Sequence, residues 1–287
     1  MKRRSFWTTW LLLGIVATIL AGCGQRTAQR DNQANRADLS HYAASISSSK
    51  GNHDTSLSSQ SPLVNTPDET LARSVLTPTI TKQLGADIRY NGHGAFIINH
   101  NQTGLVAKVG PAPYANNQVD TYRRPTVANA LLNKTTRQYR NRQQTGNGAT
   151  MWRPAGFKQV TNLPGKYHHA YDRGHLLGYA LVGNLRHFDA SEANAKNIAT
   201  QTAWANEARQ SDSTGQNYYE GLVRKALDQG KTVRYRVTNL YEGSSLVPSG
   251  AHLEAKAADG SLQFNVFVPN VQPGLTINYQ TGAVTIK

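Results

Sequence analysis

The chain has 287 residues, of which 38% are hydrophobic and 17% charged, with a formal net charge of +14. A chain of this length can bury its own core, and its single cysteine, Cys23, excludes an intrachain disulfide. The positive excess favours polyanions or anionic surfaces as partners, because released counterions drive such binding, and it says nothing of the fold.

The first element in the chain is an address. Lys2, Arg3 and Arg4 precede an uncharged stretch centred on WLLLGIVATILAGCG. This reads as a signal sequence or a single membrane anchor over residues 1–23, and the basic flank keeps that end cytoplasmic with the rest of the chain outside. The lone cysteine closes the apolar run in LAGC, Leu20 to Cys23. That stretch resembles the bacterial lipoprotein box, whose cysteine is lipidated and becomes the new N-terminus. The expected location is therefore the outer face of a bacterial cell membrane, lipid-anchored through Cys23, with free secretion as the alternative. Residues 24–76 are rich in Ser, Asn, Gln and Ala and poor in large apolar side chains, as in AASISSSKGNHDTSLSSQSP. Such a stretch cannot bury enough surface to fold and reads as a flexible tether.

A folded domain is expected over 77–287. GAFIINHNQTGLVAKV, Gly94 to Val109, has two apolar runs around Asn, Gln and Gly and predicts a hairpin. SEANAKNIATQTAWANEARQ, Ser191 to Gln210, is Ala-rich without Gly or Pro and predicts a helix. A second helix follows, with Tyr218, Leu222, Val223, Ala226 and Leu227 on one face and Gly230 as a stop. Val233, Tyr235 and Val237 alternate with Arg234, Arg236 and Thr238; Phe264, Val266 and Val268 alternate likewise. The C-terminal LTINYQTGAVTIK predicts a closing hairpin with its turn near Thr281–Gly282. The fold class is α+β, with a central, largely antiparallel sheet flanked by helices.

The stretch YDRGHLLGYAL crowds Asp172, Arg173 and His175 around Gly174 and then turns apolar. His175 suits a general base, since imidazole titrates near neutrality. Arg173 can hold a phosphate oxygen as a forked donor. Gly174 is expected to let the backbone bend so that Arg173 and His175 reach one site. Asp172 orients a neighbour or pairs with an arginine. Upstream, Arg123, Arg124, Lys134, Arg137, Arg140 and Arg142 stand against Asp120 alone, a plausible track for a phosphate backbone. A solvated basic face is the plain alternative. Adjacent His168 and His169 point oppositely on a strand and read as structural. Trp204, Tyr218 and Tyr219 read as packing.

DRGH, followed downstream by N-x3-Q-x2-W-x-N over Asn197, Gln201, Trp204 and Asn206, resembles the DNA/RNA non-specific endonucleases with a ββα-metal active site. DRGHLLGYAL and GQNYYEGLVRKALDQ also resemble the streptococcal membrane-bound nucleases of DNA uptake. The resemblance runs from about Thr81 to the C-terminus. It implies a Mg²⁺-dependent endonuclease, with Mn²⁺ as a substitute, acting on DNA, with RNA as a second candidate substrate, and leaving 5′-phosphate ends. It implies Asn206 as the metal ligand through its carbonyl oxygen, Asn197 as a second functional asparagine, and Glu220 as a holder of metal-bound waters. It places Arg142 near the phosphate path, with Arg140 and Arg137 beside it as candidate nucleic-acid contacts. Asn197 and Asn206 lie nine residues apart, two and a half helical turns, so one straight helix cannot aim both at a site. A bend or loop must separate them. Two other classes remain open at this level: a surface DNA receptor without turnover, and a lipoprotein that binds anionic wall polymers.

Overall fold

The computed structural model describes residues 65–287 apart from positions 111 and 149, so the 1–23 segment with Cys23 lies outside the described residues. Helix α1 (Glu69–Arg73) is capped by Asp68, whose side chain accepts from the Leu71 amide at 2.7 Å. It lies inside the 24–76 stretch read as a tether, so regular structure begins before Thr77. Composition missed it because so short a helix is held by its cap and by the buried Ala72 and Val75. Thr77 caps α2 (Pro78–Leu84), where Pro78 sits in the first turn and Ile80 and Leu84 are buried.

Strands β1 (Ile88–Tyr90) and β2 (Phe96–Ile98) pair with each other. The predicted hairpin over Gly94–Val109 does not form. Asn99, His100 and Asn101 all have positive φ, and the chain then crosses the sheet without a second strand. Thr103 donates to the buried Glu254 carboxylate at 2.6 Å, and Asn101 accepts from the Asn265 amide at 2.9 Å. The free side of β2 is taken instead by β9 (Gln263–Pro269), a partner distant in sequence.

The remaining strands are β3 (Tyr114–Val119), β4 (Pro125–Leu132), β5 (Tyr171–His175), β6 (Ile198–Thr202), β7 (Val233–Leu240), β8 (Gly250–Ala257), β10 (Leu275–Asn278) and β11 (Ala283–Ile286). The helices are α3 (Tyr179–Val182), α4 (Ala203–Glu207) and α5 (Gln216–Asp228). Seven strands make one sheet in the order β1-β2-β9-β8-β7-β4-β3, and every pairing in it is antiparallel. The alternation read from the sequence buries Val233, Tyr235 and Val237 of β7, and the neighbouring β4 buries Ala128, Ala130 and Leu132. Val223, Ala226 and Leu227 of α5 join that same core, with Tyr218 and Leu222 packed at its edge. Gly230, in a left-handed conformation, follows the helix. Strands β10 and β11 form the predicted closing hairpin, with Gly282 at positive φ in its turn. The α+β class with a largely antiparallel sheet is thus as expected. The pair β5 and β6 forms a ribbon of its own, antiparallel, and it carries the chemistry.

Candidate active site

DRGH is not a bend. Tyr171–His175 is strand β5, paired residue for residue with β6 from Tyr171↔Thr202 to His175↔Ile198. Arg173 and His175 share a face through the two-residue period of a strand, and Asp172 takes the other. Gly174 has no positive φ. It is needed because a Cβ there would overlap the Gln201 side chain that lies across it.

The helix predicted over Ser191–Gln210 is broken for the same reason. Ile198, Thr200 and Thr202 are β-branched, all of Ile198–Thr202 is buried, and cross-strand pairing with β5 overrides the Ala-rich local preference. Thr202 then caps α4 by accepting from the Ala205 amide at 3.2 Å. Asn197 therefore precedes the strand and Asn206 lies on the helix after it, which is the break their spacing demanded. Trp204 is fully buried, with its indole N–H on Ser213 at 3.1 Å, as a core residue should be.

The ribbon and helix bring Asp172 to Asn206. The Asn206 amide Nδ2 donates to Asp172 Oδ2 at 2.9 Å. A carboxylate accepts only, so the amide is fixed with its nitrogen inward and its carbonyl oxygen turned away. Among the described residues that oxygen accepts no hydrogen bond, and a hard cation that keeps most of its waters suits such a single oxygen donor. The other Asp172 oxygen holds His169 Nε2 at 2.8 Å, and Glu207 lies 3.5 Å from the same nitrogen. The bond from Asp172 pushes the His169 pKa up, against the opposing effect of burial. His168 turns elsewhere, its Nδ1 to the Leu163 carbonyl at 3.2 Å, so the adjacent histidines do point apart.

His175, half-buried, meets the Arg142 guanidinium through Nε2. Arginine is always a donor, so Nε2 accepts and Nδ1 carries the proton. Burial of the ring, and secondly the Arg142 charge, push the His175 pKa down to about 3. Arg142 also donates to the Ala190 carbonyl at 2.9 Å, pairs with Glu192 at 3.4 Å, and stacks over Tyr179 at 4.3 Å. Arg173 donates Nε to the Trp152 carbonyl at 2.8 Å and one terminal nitrogen to the Thr150 carbonyl at 3.1 Å, and the other makes no hydrogen bond among the described residues. No hydrogen bond joins His175 to Asn206 among the described residues. The two belong to separate groups along the ribbon.

Three further side chains hold the backbone that follows His175. Asn197, fully buried, accepts from the Leu177 amide and donates to the Leu177 carbonyl, each at 3.0 Å. Gln216 donates to the His175 carbonyl at 2.5 Å. Glu220 accepts from the Gly178 amide at 3.1 Å and from Gln216 at 3.2 Å, and burial pushes its pKa up. A Cβ at Gly178 would overlap that carboxylate. Asn197 also accepts from the Asn117 side chain at 2.9 Å and Glu220 pairs with Arg224 at 3.5 Å, and neither bonds Asn206. Gln216 carried no sequence signal, since a glutamine at a helix start is ordinary; only the return of the chain past β5 reveals it.

The basic run divides. Arg142 faces His175, and Arg140 is exposed beside it in an open groove of about 640 Å³ that both line. Arg137 is a correction: it is buried, paired with Asp228 at 3.0 Å, bonded to the Ala180 carbonyl and stacked on Tyr139 at 4.7 Å. It ties its loop to the end of α5 and is not a free phosphate contact. Arg124 is likewise buried, on Asp120 and the Ser245 carbonyl.

The chain is similar to two crystal structures of NucA from Streptococcus agalactiae, one with no metal and one with magnesium bound. Identity is 48% in both; the first covers 70% of this chain and 90% of its own, with a TM-score of 0.65, and the second 70% and 91%, with 0.68. The Sda1 nuclease, 17% identical, is alike in fold alone, with a TM-score of 0.53 over 69% of this chain and 98% of its own. The family profile of DNA/RNA non-specific endonucleases matches residues 92–286, from β1's loop to the last strand and so across both β5 and α4. This chain belongs to the DNA/RNA non-specific endonuclease family.

Proposed function

We propose that the protein is a Mg²⁺-dependent endonuclease that hydrolyses phosphodiester bonds of DNA, and of RNA as a second substrate, with little sequence preference. The observation that carries this reading is the Asp172–Asn206 hydrogen bond, which fixes an oxygen donor on the helix facing the DRGH strand. His175 removes a proton from the attacking water at Nε2. Burial and the Arg142 charge hold its pKa low in the free protein, which keeps the ring neutral but weakens it as a base, and departure of Arg142 restores part of its basicity. Arg142 covers Nε2 in the free protein, so substrate must draw that guanidinium from the ring to a phosphate oxygen. The exchange places a cation on the scissile phosphate and bares the base in one motion. Arg173 offers its remaining terminal nitrogen to a second phosphate oxygen. Asn206 Oδ1 would hold Mg²⁺, or Mn²⁺ in its place, which would supply positive charge to the phosphate. Asn197, Gln216 and Glu220 position His175 through its backbone. Arg140 tracks the strand without reading bases.

The protein is further proposed to be exported and held on the outer membrane face through lipidated Cys23, where it degrades extracellular DNA or one strand of DNA during uptake. The +14 charge and the LAGC stretch support this. Mass spectrometry of the cell-derived protein is expected to find diacylglyceryl-Cys23 as the N-terminus; intact Met1 with an unmodified Cys23 would refute it.

The test of the activity is plasmid cleavage by wild type and His175→Ala, with Mg²⁺ and with EDTA. Metal-dependent cleavage should fall by about 10²–10⁴-fold in the variant. Equal rates would remove His175 from the chemistry, and DNA binding without any cleavage by the folded wild type would establish a receptor instead.

A further inference from the structure

Beside Asn206 lies a second set of metal-ligating atoms that the proposed hydrolysis does not use. His169 Nε2, one oxygen of Asp172 and one of Glu207 all lie within 4.8 Å of one another. They come from two pieces of backbone, His169 and Asp172 from the stretch entering β5 and Glu207 from α4. His169 is held by a β-bridge to Thr161 and by its carbonyl, which accepts from Gln272 at 3.1 Å. Asp172 is fixed on β5, and Glu207 ends α4 with its side chain about half exposed. An open groove of about 470 Å³, lined by His168, His169, Asp172 and Arg173 among others, gives access.

The donor set is one imidazole nitrogen and two carboxylates with room for water. Zinc binds such a set tetrahedrally at about 2.1 Å, which puts neighbouring ligand atoms about 3.4 Å apart. The His169–Glu207 separation is 3.5 Å and the His169–Asp172 separation 2.8 Å, both within an ångström of that spacing, and Asp172 and Glu207 lie within 4.8 Å of each other. Magnesium prefers oxygen and six ligands and would leave the imidazole unused.

We propose that His169, Asp172 and Glu207 form a zinc site that restrains the enzyme. Zinc there takes Asp172 Oδ1 while Oδ2 holds Asn206, so a second dication stands one carboxylate from the Mg²⁺ ligand and opposes Mg²⁺ binding. The restraint rests on the nuclease reading; the zinc site does not.

The test is calorimetric titration of Zn²⁺ into the metal-free full chain, as wild type, His169→Gln and Glu207→Gln, beside zinc inhibition of plasmid cleavage at fixed Mg²⁺. Wild type should take one zinc at this site. Each variant should weaken zinc by at least about tenfold, raise the half-inhibiting zinc concentration by a similar factor, and cleave as wild type with Mg²⁺ alone. Glu207→Gln changes an exposed side chain and keeps the test alive if His169→Gln misfolds. Wild-type zinc affinity in both variants overturns the site, and weaker binding with unchanged inhibition overturns the restraint. A protein that shows no cleavage at all would sink the nuclease reading, while the titration would still decide the zinc site.

Discussion

At the scale of single residues, Asp172 matters through what it orients. Asp172→Ala frees the Asn206 amide to turn, and the Mg²⁺ concentration for half-maximal cleavage should rise about 10–100-fold, as for losses of outer-shell partners generally. A metal titration of the cleavage rate measures this; an unchanged midpoint would remove Asp172 from metal positioning. His175 carries a pH signature. Its folded pKa of about 3 lies below the ordinary histidine value of 6.5, so between those values the unfolded chain binds the extra proton. The contribution to stability is complete above pH 6.5 and is lost as pH falls toward 3. His175→Gln should therefore lose less stability than wild type over that range in denaturation followed by circular dichroism. Arg142→Gln, which removes one of the two causes, should narrow the window.

At the scale of elements, the ribbon β5–β6 and the start of α5 act as one clamp on residues 175–178. Asn197→Ala leaves two buried backbone groups of Leu177 without partners, at a cost of about 2–4 kcal/mol. Chemical denaturation reads that cost, and kcat should fall more than KM changes, because the clamp sets the place of His175 and not of substrate. Gly178→Ala tests the clamp from the other side. The added methyl meets the Glu220 carboxylate, and a loss of stability with a lower kcat is expected. A variant as stable and active as wild type would show that Glu220 has room to retreat.

At the scale of the whole molecule, the charge of +14 should make DNA binding fall steeply with salt. Arg140→Ala, which removes an exposed cation at the groove, should reduce the slope of log affinity against log salt by about one. Arg137→Ala should leave that slope unchanged and instead lower Tm by about 2–4 °C for each kcal/mol lost, because its guanidinium is consumed by Asp228 and Ala180. Fluorescence anisotropy over a salt series, with melting curves for both variants, separates the two arginines.

Local pattern decided much of this protein. The period of two in β7, the apolar face of α5 and the closing hairpin with Gly282 were legible in the sequence, because each depends on neighbours a few positions away, whereas β9 alternates in sequence yet is buried on both faces. The nine-residue spacing of Asn197 and Asn206 even required the break between them. What the sequence could not decide were matters of partner. Ile198–Thr202 became a strand because β5 lies beside it, and the run after Ile98 stayed irregular because β9 had taken the edge. Arg137 and Arg142 look alike in a basic run, yet Asp228 claims one and the other stands against His175. His169 and Glu207 meet only because β5 and α4 pack together. Tertiary pairing outweighs local preference at these places, since a buried strand edge or charge left unpartnered costs more than the fraction of a kcal/mol by which propensities differ.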